Sequence, residues 1–281
     1  MDRIIKSLTP ATLLVSGAVV FVLGTAFLLA SDATLASSTP GASGDLAQAG
    51  RWLQFVAWAC LLAAVCTAGW DAIVRSEWAA GAEIAAAALG TLLLMIGLAA
   101  IAASDGSSPA GAVTSAVGVG VWALLVLSRA ARVSLAEQGP APAGPNTILA
   151  PGGRRRQADL WLAAAIGLFA LAIGYGFTSA ASSAGPGIAA GLLQAIGVGV
   201  LAGSVAVARS RQMLTARPVL AVLTGLVLLA ISFLAYAIVA GLSFGTLTAL
   251  GAGLTVVTAV ELAAVIALGL AAWTRVRELY R

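Results

Sequence analysis

The sequence predicts an all-α integral membrane protein of about eight transmembrane helices, built as two parallel four-helix repeats with both termini cytoplasmic. Three observations lead there: an apolar composition, a succession of long uncharged runs, and a basic bias confined to alternate connections. Of 281 residues, 60% are hydrophobic and only 9% charged, whereas a soluble domain carries about 25% charged residues. A helix needs about 20 apolar residues to cross a hydrocarbon core of ~30 Å. Lipid tolerates no unpaired backbone, so spanning segments are helices or closed barrels. Barrel strands alternate apolar and polar residues, and these runs are apolar on every side.

In chain order the spans are expected near 10–31, 52–74, 79–103, 111–132, 159–181, 187–208, 218–241 and 247–273. The first follows Arg3 and Lys6 and could pass for a signal peptide. Its apolar run, Ala11 to Ala30, exceeds the 7–15 residues typical of a signal core, and is read as a retained span. The second carries Gln54, Cys60 and Cys66. Six residues apart on a helix, the cysteines point about 120° apart, so a local disulfide or metal pair is not expected. The fourth runs into the basic tail "SRAARVSLAE" and the eighth into "WTRVRELYR". Between the halves, "QGPAPAGPNTILAPGG" reads as a flexible linker. Residues 1–137 then form the first repeat, 138–157 a cytoplasmic Pro/Gly linker with an Arg cluster, and 158–281 the second repeat.

Fourteen of fifteen basic residues, including Arg154, Arg155 and Arg156, fall on one side of this topology. Arg51 alone joins Asp32, Asp45 and Asp105 on the other. That is a positive-inside pattern with both termini in. An alanine- and glycine-rich chain of this kind points to the inner (plasma) membrane of a GC-rich bacterium. The basic residues border spans rather than forming a separate domain, so nucleic acid is not an expected partner.

The repeat rests on local matches. "GAVVFVLGTAF" from Gly17 aligns with "GLFALAIGYGF" from Gly167, and Leu53–Gln54 with Leu193–Gln194. An even number of spans per half makes the repeats parallel.

Several chemistries are excluded. With no histidine, histidine-ligated haem or zinc and a serine–histidine relay are absent. "GLSFG" fits a nucleophile-elbow pattern, but Ser243 has no histidine to activate it. The one lysine, Lys6, lies outside the spans, which excludes a retinal Schiff base. No catalytic, cofactor or metal site is expected, and the chain is not read as an enzyme.

Three features remain. Glu261 lies near the middle of the eighth span with no basic residue at its depth. A carboxylate there costs ~2.5–3.5 kcal/mol on insertion scales, so it should face the bundle interior, with Thr258 on the same face. It reads either as a proton or cation site or as interhelical glue. Gln54 and Gln194 occupy equivalent positions about the pseudo-twofold axis and are expected to face each other. Gly187, Gly191, Ala195, Gly199 and Gly203 form a small-residue stripe, which permits close helix packing in lipid. Glu83 and Asp71 lie near the cytoplasmic interface and are assigned no site.

The favoured reading is a non-catalytic accessory or scaffold subunit, packing through small-residue faces against other membrane subunits, itself or lipids. The alternative is a small-solute or ion permease or channel with a site around Glu261, Gln194 and Gln54.

Overall fold

The computed structural model describes residues 9–37, 42–74, 78–104, 108–138, 153–178, 184–210, 218–242 and 246–279. The Arg3–Lys6 segment, the linker interior 139–152, Asp105 and Ser243 lie outside the described residues, as do the side chains of Asp71, Arg154, Arg155 and Arg156. The described chain forms α1 (Pro10–Ala36), α2 (Ser43–Val74), α3 (Trp78–Ala103), α4 (Pro109–Gln138), α5 (Gly153–Thr178), α6 (Ala184–Ser210), α7 (Pro218–Gly241) and α8 (Leu247–Leu279). Each of the eight contains a segment long and apolar enough to cross a membrane. The protein is therefore a multi-pass helical membrane protein.

Local sequence explains where the helices start. Pro10, Pro109 and Pro218 open α1, α4 and α7, positions where a missing N–H removes no helical hydrogen bond. Thr9 caps α1 by accepting from the Thr12 amide at 3.2 Å. Several boundaries differ from the expected ones. Helix α1 continues to Ala36, α2 begins at Ser43 rather than at 52, α4 runs on to Gln138 and α8 to Leu279, and α5 already begins at Gly153, so residues 153–157 of the expected linker are helical. Hydropathy falls at the first charge, but helical backbone bonds do not depend on it. Asp32 and Arg51 therefore belong to helices, not to an outer connection.

Each described helix packs against its neighbours in sequence, and α8 returns to pack against α1. The result is a closed ring of antiparallel neighbours. Large apolar side chains cover its outside at helical spacing, for example Val19, Leu23 and Phe27 on α1 and Val227, Ile231, Leu234 and Ile238 on α7. In water such a surface would aggregate; in lipid it is matched by its solvent. Inside, Leu94, Val119 and Ala172 form a core with Trp58, Trp122, Leu168, Leu171 and Tyr175. These fill the part of the interior bordered by α2 to α5. Trp58 packs at a tilt against Trp122, ring centres 5.8 Å apart, and meets Phe21 edge-on at 6.3 Å.

Glycines set how closely the helices approach. A Cβ on Gly17 would lie 3.1 Å from the Ala57 carbonyl oxygen, and one on Gly167 would lie 2.7 Å from that of Gly197. One on Gly24 would meet the Gly50 oxygen at 2.9 Å, and one on Gly174 the Ala190 oxygen at 3.0 Å. The α1–α2 and α5–α6 seams thus use positions offset by 150 residues on one helix (17 to 167) and 140 on the other (57 to 197). The α3–α4 and α7–α8 seams behave likewise: a Cβ on Gly90 would lie 3.0 Å from the Gly118 oxygen, and one on Gly225 3.0 Å from that of Ala264.

The small-residue stripe of α6 divides in two. Gly187 and Gly191 press on Ala240 and Ala237 of α7, whereas Gly199 and Gly203 have nothing within 4 Å of where a Cβ would stand. Here α6 and α7 separate, leaving a groove of about 720 Å³ between exposed Leu192, Ile196, Val227 and Ile231. It opens on the outer surface. Close packing of α6 against α5 is carried instead by Gly197, a position outside the stripe.

At the end of the ring where α1 begins, Glu83 of α3 accepts from Arg129 at 2.8 Å and Arg132 at 2.7 Å, both on α4. Arg129 also lies 5.6 Å over the Trp161 ring of α5. Glu83 is thus an ion-pair centre joining helices rather than a free solvated acid.

Candidate functional site

Helical spacing decides which polar side chains face the interior. On α8 the exposed stripe runs through Val256, Ala259, Ala263, Ile266 and Leu270, and Glu261 points the opposite way. On α6 the exposed residues are Leu192, Ile196, Gly199 and Gly203, with Gln194 opposite. The same argument turns Tyr175 of α5 inward from Ile173 and Phe177, and Asp32, Thr25 and Phe21 of α1 inward from Val19, Leu23 and Phe27. Gln54 of α2 lies opposite Trp52 and Val56.

These groups converge on the far half of the ring, away from the Glu83 ion pairs. Thr258 donates to Asp32 Oδ2 at 2.5 Å and shares its hydroxyl with the Leu254 carbonyl at 3.0 Å. Asp32 is close enough to feel the charge of Arg51. Glu261 feels the charge of Asp32, and Tyr175 that of Glu261. Gln54 Nε2 donates to Thr25 Oγ1 at 3.4 Å, and Thr25 donates to the Phe21 carbonyl at 3.0 Å. Gln194 is 4% exposed. Among the described residues, its amide, the Glu261 carboxylate and the Tyr175 hydroxyl make no hydrogen bond or ion pair.

The three polar residues singled out in the sequence therefore all face one interior, but not as expected in detail. Gln54 and Gln194 make no mutual contact, because α2 and α6 do not touch in the ring. Each packs its Cγ beneath a glycine of the preceding helix, Gly24 for Gln54 and Gly174 for Gln194. The offset relating α4 to α8 (118 to 264) makes Ser115 the counterpart of Glu261. Ser115 Oγ is buried with no hydrogen-bond partner, so only one half of the ring places an acid at this position.

Sequence reasoning missed Asp32, Thr25 and Tyr175. Asp32 spaced at 3.6 residues per turn falls on the same side of α1 as Phe21 and Thr25, a signal available once the span is extended past it. Tyr175, in an apolar run near a span end, is indistinguishable by sequence from an interfacial aromatic. Toward the end where α1 begins, a cavity of about 240 Å³ lies between α1, α2 and α8, lined by apolar residues that include Leu14, Phe21, Trp58, Val265 and Leu268, and by none of these polar groups. Among the described residues, no group of three or more acidic or sulfur side chains is placed to hold a metal ion.

No known protein family matches the chain, and comparisons with curated proteins and with solved structures find no match. The arrangement itself must carry the chemistry. It offers two carboxyls, two amides, three hydroxyls and a neighbouring aromatic chamber, facing inward from five helices. Such a set can bind a polar or charged solute away from lipid. It contains no nucleophile paired with a base.

Proposed function

We propose that the chain is a small-solute or ion permease whose binding site lies inside the helix ring around Glu261, Gln194 and Gln54. The observation that carries this reading is Glu261: an acid at mid-span, facing the interior, with no hydrogen-bond or ion-pair partner among the described residues. An ionisable group inside a membrane is costly, and one retained without a structural partner is by default functional. Interhelical glue would instead show a bond, as Ser232 does to the Val257 carbonyl at 3.2 Å. The reading is of a non-enzymatic protein with no resident cofactor.

The wider frame is two parallel four-helix repeats in a bacterial inner membrane, N-in and C-in. Paired glycine seams at fixed offsets support the duplication, and the basic bias of the connections supports the orientation.

A second reading, the accessory or scaffold subunit, is favoured by one observation. Gly199 and Gly203 open onto an apolar groove with nothing seated in it. Purification in a mild detergent distinguishes the two. A homogeneous particle of this chain alone, with solute flux in proteoliposomes that Glu261→Gln abolishes, supports the permease. Stoichiometric foreign subunits, with Glu261→Gln silent in every assay, would replace it with the scaffold.

A further inference from the structure

We propose that the end of the ring where α1 begins binds a phosphate group, carried by a lipid headgroup or free in solution, at the wedge between α5 and α6, with Arg209 as its ligand. The site lies at the opposite end of the helices from Asp32 and stands whether or not Glu261 serves a solute.

Three observations point there. The first is a cation without a counter-charge. Arg209 occupies the last turn of α6, and its Nη1 is buried with no hydrogen-bond partner among the described residues. A buried charge left unpaired is strongly destabilising, and the neighbouring helices cannot supply an acid. Neither α6 nor α7 contains one. The one acid of α5, Asp159, is exposed and points about 160° away from both Gln157 and Trp161. Among the described side chains at this end, the remaining acid is Glu83, already held by Arg129 and Arg132. The second observation is space beside the cation. A cavity of about 240 Å³ opens here between α5 and α6, with Gln157, Trp161, Val205 and Ala208 among its walls. Arg209 follows Ala208 directly and stands one turn beyond Val205. A helical side chain leans back over the turn before it, which carries Arg209 along the edge of that cavity. The third is donor chemistry. Gln157 brings an amide and Trp161 an indole N–H to the cavity wall, and Arg129 stands over the Trp161 ring at 5.6 Å. A guanidinium fork matches phosphate oxygens two at a time, and the amide and indole suit a third. Leu160 and Ala164 give the cavity an apolar floor. Basic pockets between membrane helices hold anionic headgroups in this way.

The test uses the full chain purified in a mild detergent. Titration calorimetry compares sodium phosphate with sodium chloride at equal ionic strength. Native mass spectrometry compares phosphatidylglycerol with diacylglycerol, which lacks the phosphate. Saturable binding is expected from phosphate, from phosphatidylglycerol or from both, and from neither comparator. Phosphatidylglycerol alone assigns a lipid headgroup, and phosphate alone a free ion. Arg209→Gln should weaken binding by about tenfold or more. Arg277→Gln, which removes an exposed charge from the same end on α8, should change it by less than about twofold, since solvent screens that charge. Arg209→Lys keeps the charge and loses the fork, and should fall between the wild type and Arg209→Gln; it carries the test if Arg209→Gln elutes as an aggregate in size exclusion. Binding of neither probe by the wild type overturns the proposal. So does unchanged binding by the Arg209 variant, or an equal loss in Arg209→Gln and Arg277→Gln.

Discussion

Replacing Gly97 by alanine tests whether the glycine seams hold the ring shut. A Cβ there would sit 2.5 Å from the Gly111 carbonyl oxygen and 2.8 Å from the Ser115 amide nitrogen, with Ser115 Oγ nearer still. Ordinary contact begins at 3.4 Å, so α3 and α4 must part by about 0.9 Å at this point. The obstacles are backbone atoms that no rotamer change removes. Overpacking of this kind costs ~1–3 kcal/mol, while alanine in place of glycine returns ~1 kcal/mol of helix propensity. Because the obstacles are fixed backbone, the cost falls in the upper part of that range, about 2–3 kcal/mol, and a net loss of about 1–2 kcal/mol follows, or roughly 2–8 °C in unfolding temperature. Trp122 packs in the core that this seam supports, so intrinsic fluorescence during a thermal ramp in detergent reports the change. A variant as stable as the wild type would refute the claim that contact at Gly97 limits the approach of α3 to α4.

Other sites predict different signs. Gly199→Ala and Gly203→Ala meet open space, so each should leave stability unchanged or raise it by up to ~1 kcal/mol. A loss instead, seen in the mildest detergent and not in harsher ones, would mean that something fills the groove. Glu83→Gln removes two ion pairs whose arginines are 55% and 52% exposed. It should cost no more than about 1 kcal/mol, and thermal ramps at low and high salt should show the loss shrinking as salt rises. Ser232→Ala deletes the bond to the Val257 carbonyl and should cost ~0.6 kcal/mol, the average for such bonds in a membrane; a loss several times larger in the same ramp would place Ser232 in a wider network.

Much of the architecture could be read in advance because lipid makes few demands and makes them everywhere. Eight apolar runs became eight helices since backbone bonds have no other solution in hydrocarbon. Gly17 and Gly167 each face a backbone oxygen of the next helix because close approach admits only small residues, and Gln54 and Gln194 each set a Cγ against a glycine of the preceding helix. What sequence could not convey was direction around each helix. A stripe of glycines marks a face able to approach a neighbour, yet says nothing of whether one is there: Gly191 has Ala237, and Gly199 has none. The site was half legible for the same reason. Glu261 stood out as a charge in an apolar run, whereas Asp32 sat where hydropathy ended and passed for a loop residue. Only the meeting of α1 with α8 brings it to Thr258.

That meeting also orders assembly. Every helix from α2 to α7 finds its docking partner in the segment made just before it, so these contacts form locally and early. The α1–α8 seam joins residues more than 200 positions apart and must come last. Until it does, Asp32 waits in the membrane without the hydroxyl of Thr258, and Glu261 is not yet present. The step that seals the ring is thus the same step that completes the site. A chain arrested before its final helix holds neither the enclosure nor the pair of acids.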